Sequence, residues 1–252
     1  MSSDPIATNS DVKNCLNCDT PVDGEFCKVC GQASSTERYS LSALAQEVYT
    51  QLRKVEASKT TLTIWALLIF PGQFVRGYLA GKRVDHINPV RFFFYGFFIE
   101  VSVRLAVLWL MPDNPITGNS KGGITAELLN FGLTIVWGLL WSVLYFKEDL
   151  NLAEYIVAAM YFVGQTFVLS AAILVLMLPI AQRFESAASI HTIVDLIFYF
   201  VYSCFFAYQL FSVRLIILIF KQVIVAFVFM AVIWGLYREG VFELLGLLQR
   251  SS

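Results

Sequence analysis

The sequence carries little charge for its length. Only 15% of its 252 residues are charged, whereas 57% are hydrophobic, and soluble domains usually have about 25% charged residues. This deficit argues against an ordinary soluble domain and indicates that lipid surrounds much of the chain. The net charge of −1 gives no reason to expect nucleic acid or another acidic partner.

Several familiar catalytic motifs are also absent. The sequence has no P-loop and no dinucleotide fingerprint. Its two histidines, His86 and His191, lie outside any H-E-x-x-H metalloprotease pattern. These absences favour a protein that is not an enzyme, although they do not decide the question.

Residues 1–14 lack the apolar core of a cleavable signal peptide. We therefore expect a disordered tail at 1–14, with the first membrane helix acting as the insertion signal. A helix needs about 20 apolar residues to cross a bilayer, and five stretches reach that length. The sequence predicts an all-α integral membrane protein with about five transmembrane helices over residues 90–237, and then a tail at 238–252. The predicted spans are 90–111, 124–146, 153–178, 190–211 and 213–237.

Four of the five cysteines form two Cys-x-x-Cys pairs that are eight residues apart. Each pair places two thiolates on one tight turn, and four sulfurs around one centre are typical of structural tetrahedral zinc. Gly31 relaxes the second turn, and Asp19, in the equivalent place of the first, tolerates a left-handed conformation. Redox chemistry or a pair of disulfides is the alternative. The predicted ligands of one Zn²⁺ in a zinc ribbon at residues 15–31 are Cys15, Cys18, Cys27 and Cys30.

A segment of mixed character separates the ribbon from the apolar block. Residues 32–59 read as a linker and an amphipathic helix, and residues 60–89 as an interfacial or re-entrant helical hairpin broken at Pro71 and Gly72. Basic side chains near the start of the first span either meet lipid headgroups or only fix the topology. These residues are Arg76, Lys82, Arg83 and Arg91.

The same segment carries a Pro-Gly…Arg-x-Tyr…Gly-Lys-Arg…Asn-Pro signature. Its residues are Pro71, Gly72, Arg76, Tyr78, Gly81, Lys82, Arg83, Asn88 and Pro89. Together with CLNC…CKVCG in the ribbon and LNLAEYIVAAMYF at 150–162, this layout resembles a family of bacterial integral membrane proteins catalogued only as a domain of unknown function. The resemblance implies this architecture and a location in the bacterial inner membrane. It implies no activity.

Basic residues near the ends of the predicted spans indicate the topology. They are modestly enriched in residues 1–89, 147–152 and 211–214, and cytoplasmic segments carry such an excess. Thiolates also need a reducing compartment. We therefore expect a multi-pass protein of the cell (cytoplasmic) membrane with a cytoplasmic N-terminus.

Ionisable residues within the predicted spans are costly and suggest functional sites. Glu100 and Arg104 share one helix face because they are four residues apart. Asp195 comes out at the depth of Arg104, so we predict an Arg104–Asp195 contact with Glu100 completing a small network. Lys221 either reaches the interface or meets Glu154. The network is either a clamp between helices or part of a proton or ion path.

Three functions remain open on the sequence. The first is a non-enzymatic membrane protein whose ribbon docks a protein partner or regulates the bundle. The second is a transporter or channel that uses Glu100, Arg104 and Asp195. The third is a membrane enzyme that acts on lipid.

Overall fold

The computed structural model describes residues 13–35, 57–84, 86–116, 120–181, 183, 184 and 186–238. The amphipathic helix expected before residue 57, most of the tail at 1–14 and the tail beyond 238 lie outside these residues. The described residues form one two-stranded hairpin and seven helices. These elements are β1 Lys13–Asn14, β2 Pro21–Val22, α1 Ala57–Ile69, α2 Pro71–Leu79, α3 Pro89–Leu110, α4 Ser120–Leu144, α5 Leu152–Ala181, α6 Ala187–Leu210 and α7 Leu215–Arg238.

Four of these helices are long and apolar enough to cross a membrane: α3, α5, α6 and the Leu215–Val232 part of α7. They support a multi-pass helical membrane protein. The span predicted at 124–146 falls on α4, where Gly132–Leu144 forms a shorter apolar helix. Five spans therefore stay a prediction, and four are supported by length and composition.

Contacts between helix ends show that neighbouring helices run in opposite directions. The Ser212 backbone N–H, in the turn between α6 and α7, donates to Glu148 Oε1 just after α4, with 3.0 Å between the atoms. Arg76 of α2 donates to the Leu210 carbonyl at the end of α6. The ends of α4 and α6 and the start of α7 therefore lie together, beside α2. We call this side the ribbon end, because the ribbon with the four clustered cysteines contacts it.

The close packing of α3 on α5 depends on small residues. A Cβ placed on Gly96 of α3 would lie 2.2 Å from the carbonyl oxygen of Gly164 in α5. Only glycine allows this approach, as is common where helices associate in membranes. Beside this contact, Trp141, Phe162 and Phe206 are fully buried and join α4, α5 and α6 in one aromatic core.

The first two helices are separated by a break at Phe70. Its backbone has φ −132° and ψ 54°, and Pro71 begins α2, where its missing N–H costs no helical hydrogen bond. The last carbonyls of α1 have no partners within that helix. They accept hydrogen bonds from other helices instead: Leu67 from Tyr202 at 3.0 Å and Ile69 from Gln209 at 3.2 Å. This arrangement allows a short helix to end within the bundle.

Candidate metal centre and intramembrane polar site

The two Cys-x-x-Cys turns have the same backbone hydrogen bonds. Cys15 N–H donates to the Thr20 carbonyl, and Asp19 N–H donates to the Cys15 carbonyl. Cys27 N–H and Gly31 N–H repeat the pattern with the carbonyls of Gln32 and Cys27. Asp19 has φ 58° and Gly31 has φ 75°. These left-handed residues turn the chain sharply after each pair, as the sequence predicted.

The turns bring all four ligand-type side chains together. The four sulfurs lie within 4.8 Å of one another, and two pairs, Cys15–Cys30 and Cys18–Cys27, are 3.5 Å apart. All four thiols are free rather than joined in disulfides. Tetrahedral zinc with Zn–S bonds of about 2.3 Å would place its sulfurs about 3.8 Å apart. The donor set therefore fits a four-coordinate metal ion, with no position left for water.

The cysteines differ in their readiness to ionise. The Thr20 hydroxyl, 2.9 Å from the sulfur, lowers the pKa of Cys18 to about 6. A Gln32 backbone hydrogen bond also lowers the pKa of Cys30. Desolvation and the neighbouring thiols outweigh that bond and raise this pKa to about 12. Four thiolates so close together require a cation, because a bound metal compensates their charge.

The ribbon is seated on the loop that follows α2. Leu16, between the first two cysteines, packs against Gly81, and a Cβ on Gly81 would lie 2.7 Å from Leu16 Cδ1. Gly81 also has φ +104°, so both the contact and the backbone favour glycine. Gln32, 6% exposed, accepts a hydrogen bond from the Arg83 backbone N–H at 3.3 Å. The ribbon that carries the cysteine cluster thus contacts the loop that leads into α3.

Within the bundle, Glu100, Arg104 and Asp195 lie in one polar cluster. The Glu100 side chain is fully buried, and its Oε1 lies 2.5 Å from Arg104 Nε. The Ser170 hydroxyl of α5 lies 3.3 Å from Glu100 Oε1 and 3.2 Å from Asp195 Oδ2. The connection between Glu100 and Asp195 therefore runs through Ser170, which the sequence analysis did not single out. No sequence signal distinguishes this serine from others in the spans.

The cluster holds two carboxyl groups and one guanidinium. Ser170 has a single hydroxyl proton, so it can donate to only one carboxylate. The second contact would be a hydrogen bond only if that carboxyl group carried a proton. His191 lies beside the cluster, with Nδ1 3.7 Å from Asp195 Oδ2. The geometry is thus suited to holding one exchangeable proton.

The four basic residues expected near headgroups have different surroundings. Arg76 donates to the Leu210 carbonyl and to Ser212 Oγ, and Arg91 is 9% exposed. The guanidinium of Arg83 lies 5.6 Å from the centre of the Tyr78 ring. Lys82 is exposed. A headgroup contact stays a prediction, and Arg76 and Lys82 are the two exposed candidates of the four.

Lys221 and Glu154 take separate partners. Lys221 Nζ lies 2.5 Å from the Leu144 carbonyl at the end of α4 and 4.4 Å from the centre of the Tyr145 ring. Glu154 forms a capping box with Asn151, each side chain accepting the other's backbone N–H at 2.8 and 3.0 Å. The Asn-x-x-Glu spacing at the start of α5 is a sequence signal for this cap.

Together, these features define a helical membrane protein with an N-terminal cysteine cluster that could hold a metal ion. Residues 58–100 match a protein family described as "Protein of unknown function (DUF3667)". The match covers α1, α2 and α3 as far as Glu100, and it supports an uncharacterised domain family. No curated protein and no solved structure matches the chain.

Proposed function

We propose that the chain is a non-enzymatic, multi-pass protein of the cytoplasmic membrane whose ribbon holds one zinc ion and regulates the bundle. The ribbon would lie in the cytoplasm and also dock a protein partner. The observation that carries this proposal is the contact of Leu16 with Gly81, which seats the cysteine cluster on the membrane domain.

A series of contacts connects the ribbon, through Gly81 and α2, to the end of α6. Gly81 lies two residues beyond the end of α2, and α2 carries Arg76, which donates to the Leu210 carbonyl at the end of α6. Loss of the metal would unfold the ribbon, since so short a segment takes its folding free energy from the ion. Leu16 and Gln32 would then leave the loop, and α2 would lose support on one side.

Apolar side chains on the ribbon support a partner-docking role. Phe26 is 61% and Val29 is 70% exposed, although the ribbon has almost no core of its own. Exposed apolar groups on a rigid metal-held module are suited to recognising another protein.

Hydrogen–deuterium exchange on the purified protein in detergent micelles tests the regulatory proposal. Removing zinc with EDTA should speed exchange in residues 13–35 and also in α2 and residues 80–84, while α5 stays unchanged. Cys27→Ser should reproduce the effect. Cys204→Ser, which removes the cysteine outside the cluster, should not. Faster exchange confined to the ribbon would show that it does not control the bundle.

A second candidate, a proton path, is favoured by one observation. Ser170 faces two carboxyl groups with one proton, and both Ser170 and Asp195 line a cavity. In liposomes with an internal pH dye, Glu100→Gln should reduce proton flux at least tenfold, whereas Asp113→Asn in the exposed loop after α3 should not. Equal flux in wild type and Glu100→Gln would exclude the path.

A further inference from the structure

A cavity of about 240 Å³ lies between α5, α6 and α7, with Trp137 of α4 in its lining. Most of the lining is aliphatic or aromatic. An apolar cavity of about 150 Å³ can hold a benzene molecule, so this one has room for a larger apolar group. It also contains polar side chains, which an empty packing defect would not require.

The cavity is bordered by residues of the bundle surface. Leu196 of α6 and Met230 of α7 both line it, and they are 51% and 50% exposed. Both lie on helices long and apolar enough to cross the membrane, so their exposed surfaces face lipid. A ligand would therefore enter from the bilayer, between α6 and α7.

Two polar groups in the lining define the ligand chemistry. The Trp137 indole N–H is buried, with no hydrogen-bond partner among the described residues. Its ring lies 5.5 Å from that of Tyr199, one helical turn from Asp195 on α6. The Asp195 side chain is 26% exposed and lines the same cavity. The cavity lining thus contains both a hydrogen-bond donor without a partner in the described part of the chain and an acceptor.

A hydroxyl group can serve both partners, since it donates one hydrogen bond and accepts others. An ammonium group could satisfy Asp195 but not the indole N–H, because it has no acceptor. A carboxylate or phosphate head would be repelled, since Glu100 and Asp195 face a single guanidinium, that of Arg104. At the far end, Ser203 and Gln222 are already hydrogen-bonded to each other at 2.6 Å, so that end requires no polar ligand group.

We propose that this cavity binds a single-chain lipid alcohol. Its hydroxyl donates to Asp195 and accepts from the Trp137 indole, and its alkyl chain leaves between α6 and α7 into the bilayer. The proposal does not depend on the ribbon, and no covalent step is involved.

Tryptophan quenching by 6-bromo-1-dodecanol, whose bromine lies near the hydroxyl end of the chain rather than at its far end, tests the site in the purified protein in lipid nanodiscs. Bromine on the chain quenches the fluorescence of nearby indoles. Quenching of lipid-facing tryptophans rises with the alcohol concentration and does not saturate. Occupation of the cavity should add a saturable component of quenching in the wild type, and Trp137→Phe should remove that component. At pH 8, 6-bromododecanoic acid, with the same chain and a carboxylate head, should require at least tenfold higher concentration for the same saturable quenching. Purely linear quenching, or equal potency of acid and alcohol, would overturn the proposal.

Variants separate the cavity from the surrounding lipid surface. Ala226→Phe places a ring in the cavity lining and should abolish saturable quenching. Val223→Phe, on the same helix at a 49% exposed position outside that lining, should leave it intact. Asp195→Asn should bring the potencies of alcohol and acid closer together, and this readout does not need the Ala226 variant to fold. Saturable quenching that persists in Ala226→Phe, or an unchanged preference in Asp195→Asn, would contradict the site.

Discussion

Glu100 and Arg104 form an ion pair inside a segment that would cross the membrane. Both side chains are largely removed from solvent: that of Glu100 is fully buried, and that of Arg104 is 15% exposed. Removing one partner of a buried pair leaves an uncompensated charge, which costs more than the pair itself contributes.

The pair predicts non-additive stability effects. Arg104→Gln should lower the free energy of unfolding by about 3 kcal/mol, because it leaves Glu100 without its cation. Glu100→Gln should lower it by less, because Asp195 still interacts with Arg104. The double variant should lose less than the sum of the two. Unfolding in mixed SDS–detergent micelles measures all three. Additive losses would show that the two charges do not interact.

The sequence did not predict that Ser170 belongs to the cluster. The spacing of Glu100 and Arg104 predicts that they share a helix face, since four residues make about one turn. Ser170 is distant in sequence from both Glu100 and Asp195, and serine in a span is too common to indicate a site. Only the packing of α3, α5 and α6 together identifies it.

The short helix α1 depends on side chains from other helices. Its carbonyls at Leu67 and Ile69 accept from Tyr202 and Gln209. A carbonyl left without a partner in an apolar surrounding costs about 1–3 kcal/mol.

Tyr202→Phe tests this dependence. The variant keeps the ring and removes only the hydroxyl, so it should lower the free energy of unfolding by about 1–3 kcal/mol. Tyr208→Phe is the matched control, because Tyr208 is on the same helix and 56% exposed. Thermal unfolding in detergent compares the two. Similar melting temperatures for the variants would mean that Tyr202 does not support α1.

The contact between α3 and α5 gives a second test at the level of helices. Gly96→Ala should separate the two helices and lower the melting temperature by several degrees, because the new methyl group would meet the Gly164 backbone. Gly132→Ala in α4, where a Cβ meets nothing within 4 Å, should be neutral or stabilising. Equal effects of the two changes would contradict the close packing.

Sequence patterns predicted the elements better than their contacts. Long apolar runs predicted α3, α5, α6 and α7 because hydropathy is a local property. The role of Arg76 could not be predicted in this way. Its partner is a backbone carbonyl, at Leu210, and backbone groups are the same at every position of a sequence. For the same reason, the sequence did not predict the Leu144 carbonyl as a partner of Lys221.

On the scale of the whole molecule, the ribbon end brings together the cysteine cluster, α2 and the ends of α4 and α6. This arrangement implies an odd number of crossings between the ribbon and the end of α7 if α4 also spans the membrane. The structure describes the side chains of α4 only from Gly132 onward, and the apolar part found there is Gly132–Leu144, so the role of α4 requires a direct test.

Reporter fusions after Arg238 test the number of crossings in a bacterial host. With five spans and a cytoplasmic ribbon, this position lies in the periplasm. Alkaline phosphatase fused there should be active, because it needs the periplasm, and green fluorescent protein should be dark, because it folds only in the cytoplasm. Fusions after Glu148 should give the opposite pattern. A fluorescent fusion after Arg238 would show an even number of crossings.

Metal and thiol content of the protein purified in detergent tests the central claim most directly, since the regulatory role requires a metal-held ribbon. We expect one zinc ion per chain by elemental analysis, with the four clustered thiols protected from alkylation until a chelator is added. Cys15→Ser should lose the zinc, and Cys204→Ser should retain it. A metal-free chain whose clustered cysteines are joined as disulfides would contradict the claim.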